Sequence, residues 1–301
     1  MTFTRDARFE ATMTEAIDFV RLLREEKQKA RLKRQQKQNT HLDEAEKERE
    51  RTKQNDTFQP SAADDVILGL STRPDVGPLS QYRVAQHNSS SKISSTVFYI
   101  PRFLLEGESA LVDWLVRSLA WTTMRYSKRR VVALHATAAG GFPGPLQEVA
   151  SALVDCGIFE PQQPPNHILI NEYQPGHGIL PHTDGPAYQP RTATLSIGGS
   201  SVLLNFTPRL STDDIDPSKR HDSTAGDCLQ VHLENQSLLV FTDHAYTNCC
   251  HGIDDQILTE TSTAQCCNLP AGTTIERGYR ISLTFRIKKG EVSLDQSAPS
   301  T

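Results

Sequence analysis

The segment from residue 167 to residue 184 constrains the fold more than any other part of the chain. It begins with the run 167–170, which contains β-branched residues and predicts a strand that enters a core. Two prolines and two glycines then break the strand and turn the backbone: Pro175, Gly176, Gly178 and Pro181. Beyond the turn, His182 and Asp184 stand two residues apart, so in extended backbone their side chains share one face.

An imidazole and a carboxylate on one face supply two ligands of a metal site. One more His completes the 2-His-1-carboxylate arrangement that holds Fe(II) in non-haem oxygenases and leaves coordination positions open for a 2-oxo acid and O₂. His251 is the candidate, because it follows an apolar strand and because Gly252 lets the backbone approach closely. His244 lies nearer to that strand and competes with His251, as His177 competes with His182.

The segment 280–287 alternates strictly between two kinds of residue and predicts a strand with two unlike faces. One face carries Ile281, Leu283, Phe285 and Ile287, and the other carries Arg280, Ser282, Thr284 and Arg286. By itself this pattern fits an edge strand with a solvated polar face. If the polar face lines the interior next to an iron site, two buried guanidinium groups need anionic partners. A dicarboxylate co-substrate supplies them, because the planar fork of Arg grips a carboxylate in a bidentate way.

Composition narrows the class of protein. The chain has 301 residues, 37% hydrophobic and 23% charged, with a net charge of −4, which suits an enzyme and not a protein that wraps nucleic acid by charge alone. No apolar run reaches the length of a membrane span and the start has no secretory core, so we expect an intracellular protein. Six cysteines include two adjacent pairs, 249–250 and 266–267, which lack the spacing of zinc ligands; reduced thiols are the expectation.

The pattern of the chain predicts four regions. Residues 1–53 form a charged helical or disordered extension that could dock a protein partner, since this zone contains many charged residues and lacks Gly and Pro from residue 7 onward. Residues 54–95 predict a linker, because Pro, Gly and a Ser run interrupt any periodicity. The folded domain spans 96–290, and 291–301 form a disordered tail.

Within the domain, two amphipathic helices precede a series of strands. The first is indicated by Leu111, Leu115 and Leu119, which repeat every four residues, and the second begins at Pro145 and stops at Gly157. The strands are expected at 167–173, 192–198, 201–207, 230–241 and 281–288, and the connections 209–228 and 252–279 predict surface insertions. This order indicates the α+β class, with a jelly-roll core flanked by helices.

Three motifs in this order resemble the AlkB family of Fe(II)/2-oxoglutarate dioxygenases over about residues 96–289. They are Asn-x-Tyr-x-Pro-Gly-x-Gly-Ile-x-Pro-His-x-Asp from residue 171, His-Gly-Ile from residue 251, and Arg-x-Ser-x-Thr-x-Arg from residue 280. The family is known for a double-stranded β-helix, which is a jelly roll. The resemblance departs at Ser282, where the family often has Asn, and in the long span between the second and third motifs.

The resemblance implies site residues and cofactors. Iron would bind to His182, Asp184 and His251, and the distal carboxylate of 2-oxoglutarate to Arg280. The co-substrate set also includes Asn171, Tyr173, Ser282 and Arg286. The implied reaction consumes O₂, turns 2-oxoglutarate into succinate and CO₂, and oxidises an N-methyl carbon that is then lost as formaldehyde.

The family places its nucleotide-gripping elements before the barrel, which here means residues 121–144. This segment combines aromatic and basic side chains suited to base stacking and phosphate contact: Trp121, Arg125, Tyr126, Lys128, Arg129 and Arg130. The structural interpretation of the same residues is a helix end with a solvated basic run. Gly140 and Gly141 would allow the segment to move as a lid.

The function predicted from these motifs is oxidative demethylation of alkylated nucleic acid by a monomer in the nucleus and cytoplasm. Two alternatives stay open. One is an oxygenase that acts on a protein side chain, because its metal and co-substrate residues would look the same. The other is a partner-binding module that keeps the fold without turnover.

Overall fold

The computed structural model describes six stretches of the chain: residues 69–73, 76–84, 92–124, 129–137, 141–209 and 228–290. The predicted extension 1–53, the tail 291–301 and nearly all of the connection 209–228 lie outside the described residues.

The described part contains three α-helices, two short 3₁₀ helices and fifteen strands. The helices are α1 (Glu108–Ser118), α2 (Pro145–Asp155) and α3 (Asp243–Thr247), with 3₁₀ turns at Leu79–Tyr82 and Ser94–Thr96. The strands are β1 (Ser71–Thr72), β2 (Val97–Ile100), β3 (Leu104–Glu106), β4 (Thr122–Thr123), β5 (Arg130–His135), β6 (His167–Tyr173), β7 (Ile179–His182), β8 (Tyr188–Ile197), β9 (Val202–Pro208), β10 (Leu229–Leu233), β11 (Leu238–Thr242), β12 (Cys249–Ile253), β13 (Thr259–Thr261), β14 (Thr274–Glu276) and β15 (Arg280–Lys288).

Two antiparallel sheets form the core. The major sheet has seven strands in the order β2-β11-β8-β15-β6-β5-β4, and the minor sheet has four in the order β10-β9-β12-β7. One apolar cluster joins side chains of β2 and β11 to side chains of β9 and β10, so the two sheets face each other as a sandwich. The prediction of an α+β fold with a jelly-roll core is confirmed. None of the described helices is long and apolar enough to cross a membrane.

The strands of the major sheet separate an apolar face from a polar one. On β15, Ile281, Leu283 and Phe285 belong to the cluster that packs against α1 and α2. Their alternating neighbours Arg280, Ser282 and Thr284 line a cavity between the sheets instead. Because side chains alternate along a strand, the same division holds on the neighbouring strands β6 and β8. The polar face of β15 therefore lies inside the sandwich.

The two longer helices cover the outer face of the major sheet. Leu111 and Leu115 on α1, and Val149 and Leu153 on α2, are spaced four residues apart and buried in one cluster with that face. Pro145 occupies the first turn of α2, where no backbone N–H is needed, and the helix ends at Asp155, just before Gly157 in the left-handed region. Both predicted helices are present.

The structure differs from the sequence interpretation at three places, one of which excludes an alternative that the sequence left open. The predicted strand 230–241 is two strands, β10 and β11, which belong to different sheets. The segment 130–135 is strand β5, paired with β6 over its length, and not part of a helix end. The insertion 252–279 contains the β13–β14 hairpin and two buried charged residues, Glu260 and Arg277, so it is part of the packed structure.

Residues near the start of the described part contact the core, although the sequence predicts them as linker. Val76 and Val84 are buried, and Leu70, Leu79 and Tyr82 pack against the apolar cluster between the major sheet and helices α1 and α2. The division into extension, linker and domain stays a prediction. Because of these contacts, we propose that the domain boundary lies before residue 69.

A pair of truncations tests this boundary. Deleting 1–68 is expected to leave the free energy of unfolding of the domain nearly unchanged. Deleting 1–90 removes two buried valines, each worth about 1.5–3 kcal/mol when fully buried, and should cost about 3 kcal/mol or more. Urea denaturation followed by circular dichroism measures both. Equal stability of the two truncations would show that residues 69–84 contribute nothing to the core.

Candidate metal and co-substrate site

The structure brings the three predicted metal ligands together. His182 ends β7, Asp184 follows it, and His251 lies on β12 directly opposite His182 in the antiparallel ladder. Their ligand atoms all lie within 4.8 Å of one another, and the two imidazole rings are 4.5 Å apart. Among the described residues this is the only group of three or more potential metal ligands, so His177, His244 and the described cysteines form no such group.

Two glycines permit the close approach of the backbones that carry the histidines. A Cβ on Gly252 would lie 2.9 Å from the Cα and N of Pro181, which is closer than real Cβ contacts. A Cβ on Gly178 would lie 2.4 Å from the carbonyl oxygens of Ile253 and Asp254. Any larger residue at either position would therefore push β7 away from β12 and separate the two imidazoles.

Asp184 is held by two donors. The Thr192 hydroxyl donates to Oδ2 at 2.7 Å, and Arg286 Nη1 donates to Oδ1 at 2.9 Å. Burial alone would raise the pKa of Asp184, but the positive charge of Arg286 and the nearby His251 keep the pKa below its usual value. Each carboxylate oxygen retains a lone pair, so the ionised group can accept these bonds and still bind a cation.

Both histidines are suited to bind a metal in the neutral form. His182 Nδ1 lies 2.9 Å from the Leu180 carbonyl oxygen, which can only accept, so the proton is on Nδ1 and the lone pair of Nε2 is free for a metal. Burial lowers the pKa of His182 and lowers the pKa of His251 to about 4. His251 packs against the rings of Phe206 and Phe241, which exclude water from one side of the site.

Arg280 is a buried cation without a described anionic partner. Its side chain is 4% exposed, Nη2 donates to the Ser196 hydroxyl at 2.9 Å, and the guanidinium lies over the Tyr173 ring at 5.4 Å. Nε has no partner among the described residues, and no described carboxylate forms an ion pair with the group. Burial lowers the pKa of Arg280 from its ordinary value. A bound carboxylate would offset this cost of burying the charge.

The other predicted co-substrate residues lie beside Arg280. Tyr173 on β6 is opposite Arg280, and Asn171 is opposite Ser282 in the same ladder. All four line the cavity that also contains the triad. Asn171 Oδ1 is buried without a described partner, and an amide turned by half a rotation would present an N–H there.

Arg286 does not line the cavity; it acts on the site through Asp184. Its guanidinium pairs with Asp184 and lies 4.3 Å from the centroid of the Tyr188 ring. The sequence interpretation missed two residues. Thr192 binds Asp184, and the ring of Tyr188 stacks on Arg286. From residue 192 to residue 197 of β8, the polar Thr192, Thr194 and Ser196 alternate with apolar residues, and this signal could have indicated Thr192.

The predicted substrate residues fall into three groups. Arg125, Tyr126 and Lys128 lie outside the described residues, as does Gly140. Trp121 and Arg130 make internal contacts: the Trp121 indole N–H donates to the Leu115 carbonyl, and Arg130 stacks on Trp121 at 5.2 Å while it pairs with the buried Glu172. A structural role accounts for both. Arg129 is the third group and differs from these residues.

Arg129 lies on the side of β5 that faces the site. Arg130 is opposite Glu172, so strand alternation places the side chain of Arg129 on the face that carries Asn171 and Tyr173. Its positive charge contributes, after burial, to lowering the pKa of His182. Arg129 Nε is buried and has no partner among the described residues.

A sandwich of antiparallel sheets that encloses two histidines, one carboxylate and a buried arginine defines a class of protein, the Fe(II)/2-oxoglutarate-dependent oxygenases. In agreement, residues 77–286 match the 2OG-Fe(II) oxygenase superfamily. The chain belongs to this superfamily, and within it to the AlkB family. It is an oxidoreductase of the kind that uses Fe(II), 2-oxoglutarate and O₂.

The motifs also resemble the sixth eukaryotic AlkB homologue, and the relative from Danio rerio agrees with that resemblance. The chain is 31% identical over 207 residues to the probable RNA/DNA demethylase ALKBH6 of Danio rerio, covering 64% of this chain and 85% of that protein. It is 29% identical over 154 residues to the tRNA (carboxymethyluridine(34)-5-O)-methyltransferase ALKBH8 of Mus musculus, covering 48% of this chain but only 21% of that protein. The structure of OsALKBH1 is similar with a TM-score of 0.41 at 16% identity, covering 64% of this chain and 96% of that chain.

The residues present fit the iron and the co-substrate that the family uses. Two neutral imidazoles and one carboxylate form the facial triad of non-haem Fe(II) sites. The described part of the chain has three buried arginines, of which Arg277 and Arg286 are paired with carboxylates and Arg280 is not. A dicarboxylate with one end at the triad and the other at Arg280 would satisfy that remaining charge.

Proposed function

We propose that this protein is an Fe(II)- and 2-oxoglutarate-dependent dioxygenase that oxidatively demethylates alkylated nucleic acid. The observation that carries this proposal is the similarity to the Danio rerio protein named a probable RNA/DNA demethylase, which extends over 85% of that protein. The iron ligands in this proposal are His182, Asp184 and His251, and the co-substrate residues are Arg280, Tyr173, Asn171 and Ser282.

The residues of the chain would perform three tasks in this reaction. When bound, iron and 2-oxoglutarate supply the oxidising power toward an N-methyl carbon. Arg280 and the Ser196 hydroxyl bind and orient the distal carboxylate of the co-substrate. Arg286 and Thr192 fix the orientation of the Asp184 carboxylate and keep it ionised. Phe206 and Phe241 shield His251 from bulk water.

The position and charge of Arg129 favour the hypothesis of a polyanionic substrate. Arg130, Arg277 and Arg286 form ion pairs with Glu172, Glu260 and Asp184, and Arg280 is assigned to the co-substrate, whereas Arg129 has a buried Nε without a described partner. A guanidinium near His182 whose Nε has no described partner is suited to a phosphate oxygen or a base edge of a bound nucleotide. We therefore place the substrate strand across the start of β5.

The experiment that tests the proposal has two stages. Succinate formation without substrate, in the presence of Fe(II) and 2-oxoglutarate, first establishes that the protein is loaded and turns over. Methylated single-stranded DNA, single-stranded RNA and duplex oligonucleotides are then compared with methylated peptides, and the demethylated product is measured by mass spectrometry. Product from an oligonucleotide and none from the peptides is the expected result. Product from the peptides alone would overturn the nucleic-acid assignment.

Arg129→Gln should weaken the oligonucleotide reaction while leaving the uncoupled reaction in place. Losing one charge-assisted contact is worth about 1.5–3 kcal/mol, so KM for the oligonucleotide should rise roughly tenfold to a hundredfold. Arg117→Gln is the matched control, because Arg117 is exposed on α1, on the outer side of the major sheet, and its ion pair among the described residues is with the exposed Asp113. An unchanged KM in the Arg129 variant would remove this residue from the substrate site.

A further inference from the structure

Arg277 connects the segment 254–279 to the loop that leads into the metal motif. Its side chain is buried, and three acceptors from different parts of the chain surround it. Nη1 donates to Glu260 Oε1 at 3.0 Å and to the Asp254 carbonyl at 2.5 Å, and Nη2 donates to the His177 carbonyl. His177 belongs to the turn between β6 and β7, five residues before His182.

Backbone bonds reinforce the same connection. The Gly178 N–H donates to Asp255 Oδ1 at 2.8 Å, and the Gln256 N–H donates to the Gly176 carbonyl at 2.7 Å. The Arg277 N–H donates to the Leu258 carbonyl at 2.8 Å, which closes the segment on itself. The turn 174–178 is therefore held by the segment on several sides, with the Arg277 side chain among the contacts.

Glu260 completes the arrangement. It lies on β13, and its second oxygen, Oε2, accepts the backbone N–H of Leu203 on β9 at 2.9 Å. The carboxylate thus joins Arg277 to the minor sheet, whose strand β12 carries His251. Arg277 also lines a small cavity together with Arg280, Tyr173 and His177, behind the predicted position of the co-substrate carboxylate.

We propose that Arg277 and Glu260 are a positioning pair for the iron site, which hold the turn 174–178 against β12 and so fix His182 relative to His251. The pair acts through the backbone, and neither residue belongs to the triad. This inference rests on the proposed site assignment but is independent of which substrate is oxidised. In this proposal the long connection between His251 and Arg280 positions the iron site and is not merely a surface insertion.

The geometry of the guanidinium explains why an Arg is needed at residue 277. Three acceptors lie around one planar group, and two of them are backbone carbonyls, one in the turn 174–178 and one directly after β12. A lysine ammonium carries the same charge and can pair with Glu260, but its single nitrogen cannot reach both Asp254 and His177. Arg277→Lys should therefore keep the ion pair and release the turn.

Hydrogen exchange measured by mass spectrometry on the full chain, with and without Fe(II) and 2-oxoglutarate under anaerobic conditions, tests the pair. In Arg277→Ala and in Arg277→Lys, amides of residues 174–182 and 253–258 should exchange faster than in the wild type. For Arg277→Ala the expected increase is on the order of a hundredfold, because a buried charge loses its partner. The apparent Kd for Fe(II) should rise in both variants.

Two further variants separate positioning from general loss of stability. Leu153→Ala creates a cavity under α2, far from the turn in the fold, and should lower global stability without selective exchange in 174–182. If Arg277→Ala fails to fold, the double variant Arg277→Met with Glu260→Gln removes both charges and keeps an acceptor for Leu203 while the His177 carbonyl still loses its donor.

Selective exchange in the turn, together with weaker Fe(II) binding, supports the proposal. Wild-type exchange in the turn of the folded double variant would overturn it, as would a uniform increase like that in Leu153→Ala. Neither readout uses an oligonucleotide, so a failure here is distinct from a failure of the proposed substrate. Loss of activity on methylated oligonucleotides with intact exchange and Fe(II) binding would instead concern the proposed function.

Discussion

Replacing His251 by Ala is expected to abolish the visible charge-transfer absorbance that Fe(II) and 2-oxoglutarate give together under anaerobic conditions. The three ligand atoms lie within 4.8 Å of one another, and each supplies one of the three protein positions on the metal. Without one imidazole, the remaining two ligands do not hold the ion in the facial arrangement. His182→Ala and Asp184→Ala should have the same effect.

His244→Ala is the matched control for this experiment. His244 is the competing histidine in the sequence and lies on α3, before β12 and outside the ligand group that the described residues form. The variant should keep the absorbance. Retention in His251→Ala together with loss in His244→Ala would show that the third ligand has been assigned to the wrong histidine.

Arg280→Ala is expected to lower the affinity for 2-oxoglutarate by roughly one and a half to three and a half decades. The distal carboxylate would lose its partner in a buried site, and truncating one member of such a pair costs about 2–5 kcal/mol. Fe(II) affinity should change much less, because Arg280 contacts Ser196 and Tyr173 and not the triad. An anaerobic titration of 2-oxoglutarate, followed by the same absorbance, measures the change.

Arg280→Lys distinguishes the charge from the shape of the group. An ammonium keeps the positive charge but cannot form the planar fork with a carboxylate, so this variant should recover only part of the lost affinity. A titration in which Arg280→Ala binds 2-oxoglutarate as the wild type does would contradict the assignment. The polar face of β15 would then be without its proposed ligand.

Short-range patterns were sufficient for much of the site. Three facts could be predicted from spacing alone: His182 and Asp184 share a face, the polar residues of 280–286 face away from the apolar ones, and Gly252 permits close backbone approach. Alternation along a strand is a local property of extended backbone, and the steric requirement for glycine is local as well. Both therefore follow from sequence without knowledge of the neighbours.

Other elements escaped prediction because their neighbours are distant in the chain. Strand β5 carries a basic run that is typical of a solvated surface, yet Arg130 is paired with Glu172 and stacked on Trp121. The single apolar run 230–241 divides between two sheets, because a turn at its centre sends β11 to the major sheet. Neither outcome leaves a periodic signal, since the energy comes from partners that only the folded chain brings into contact.

The sequence by itself determined the set of residues that can bind iron and a dicarboxylate, because side-chain chemistry and strand alternation depend on the nearest neighbours alone. Only the tertiary structure decided which histidine lies beside His182 and Asp184, which arginine is left without a described anionic partner, and which part of the 252–279 connection contacts the turn 174–178. These outcomes depend on the register of β12 against β7 and on the pairing of buried charges. Buried charges require partners wherever they lie in the chain, and the fold selects those partners.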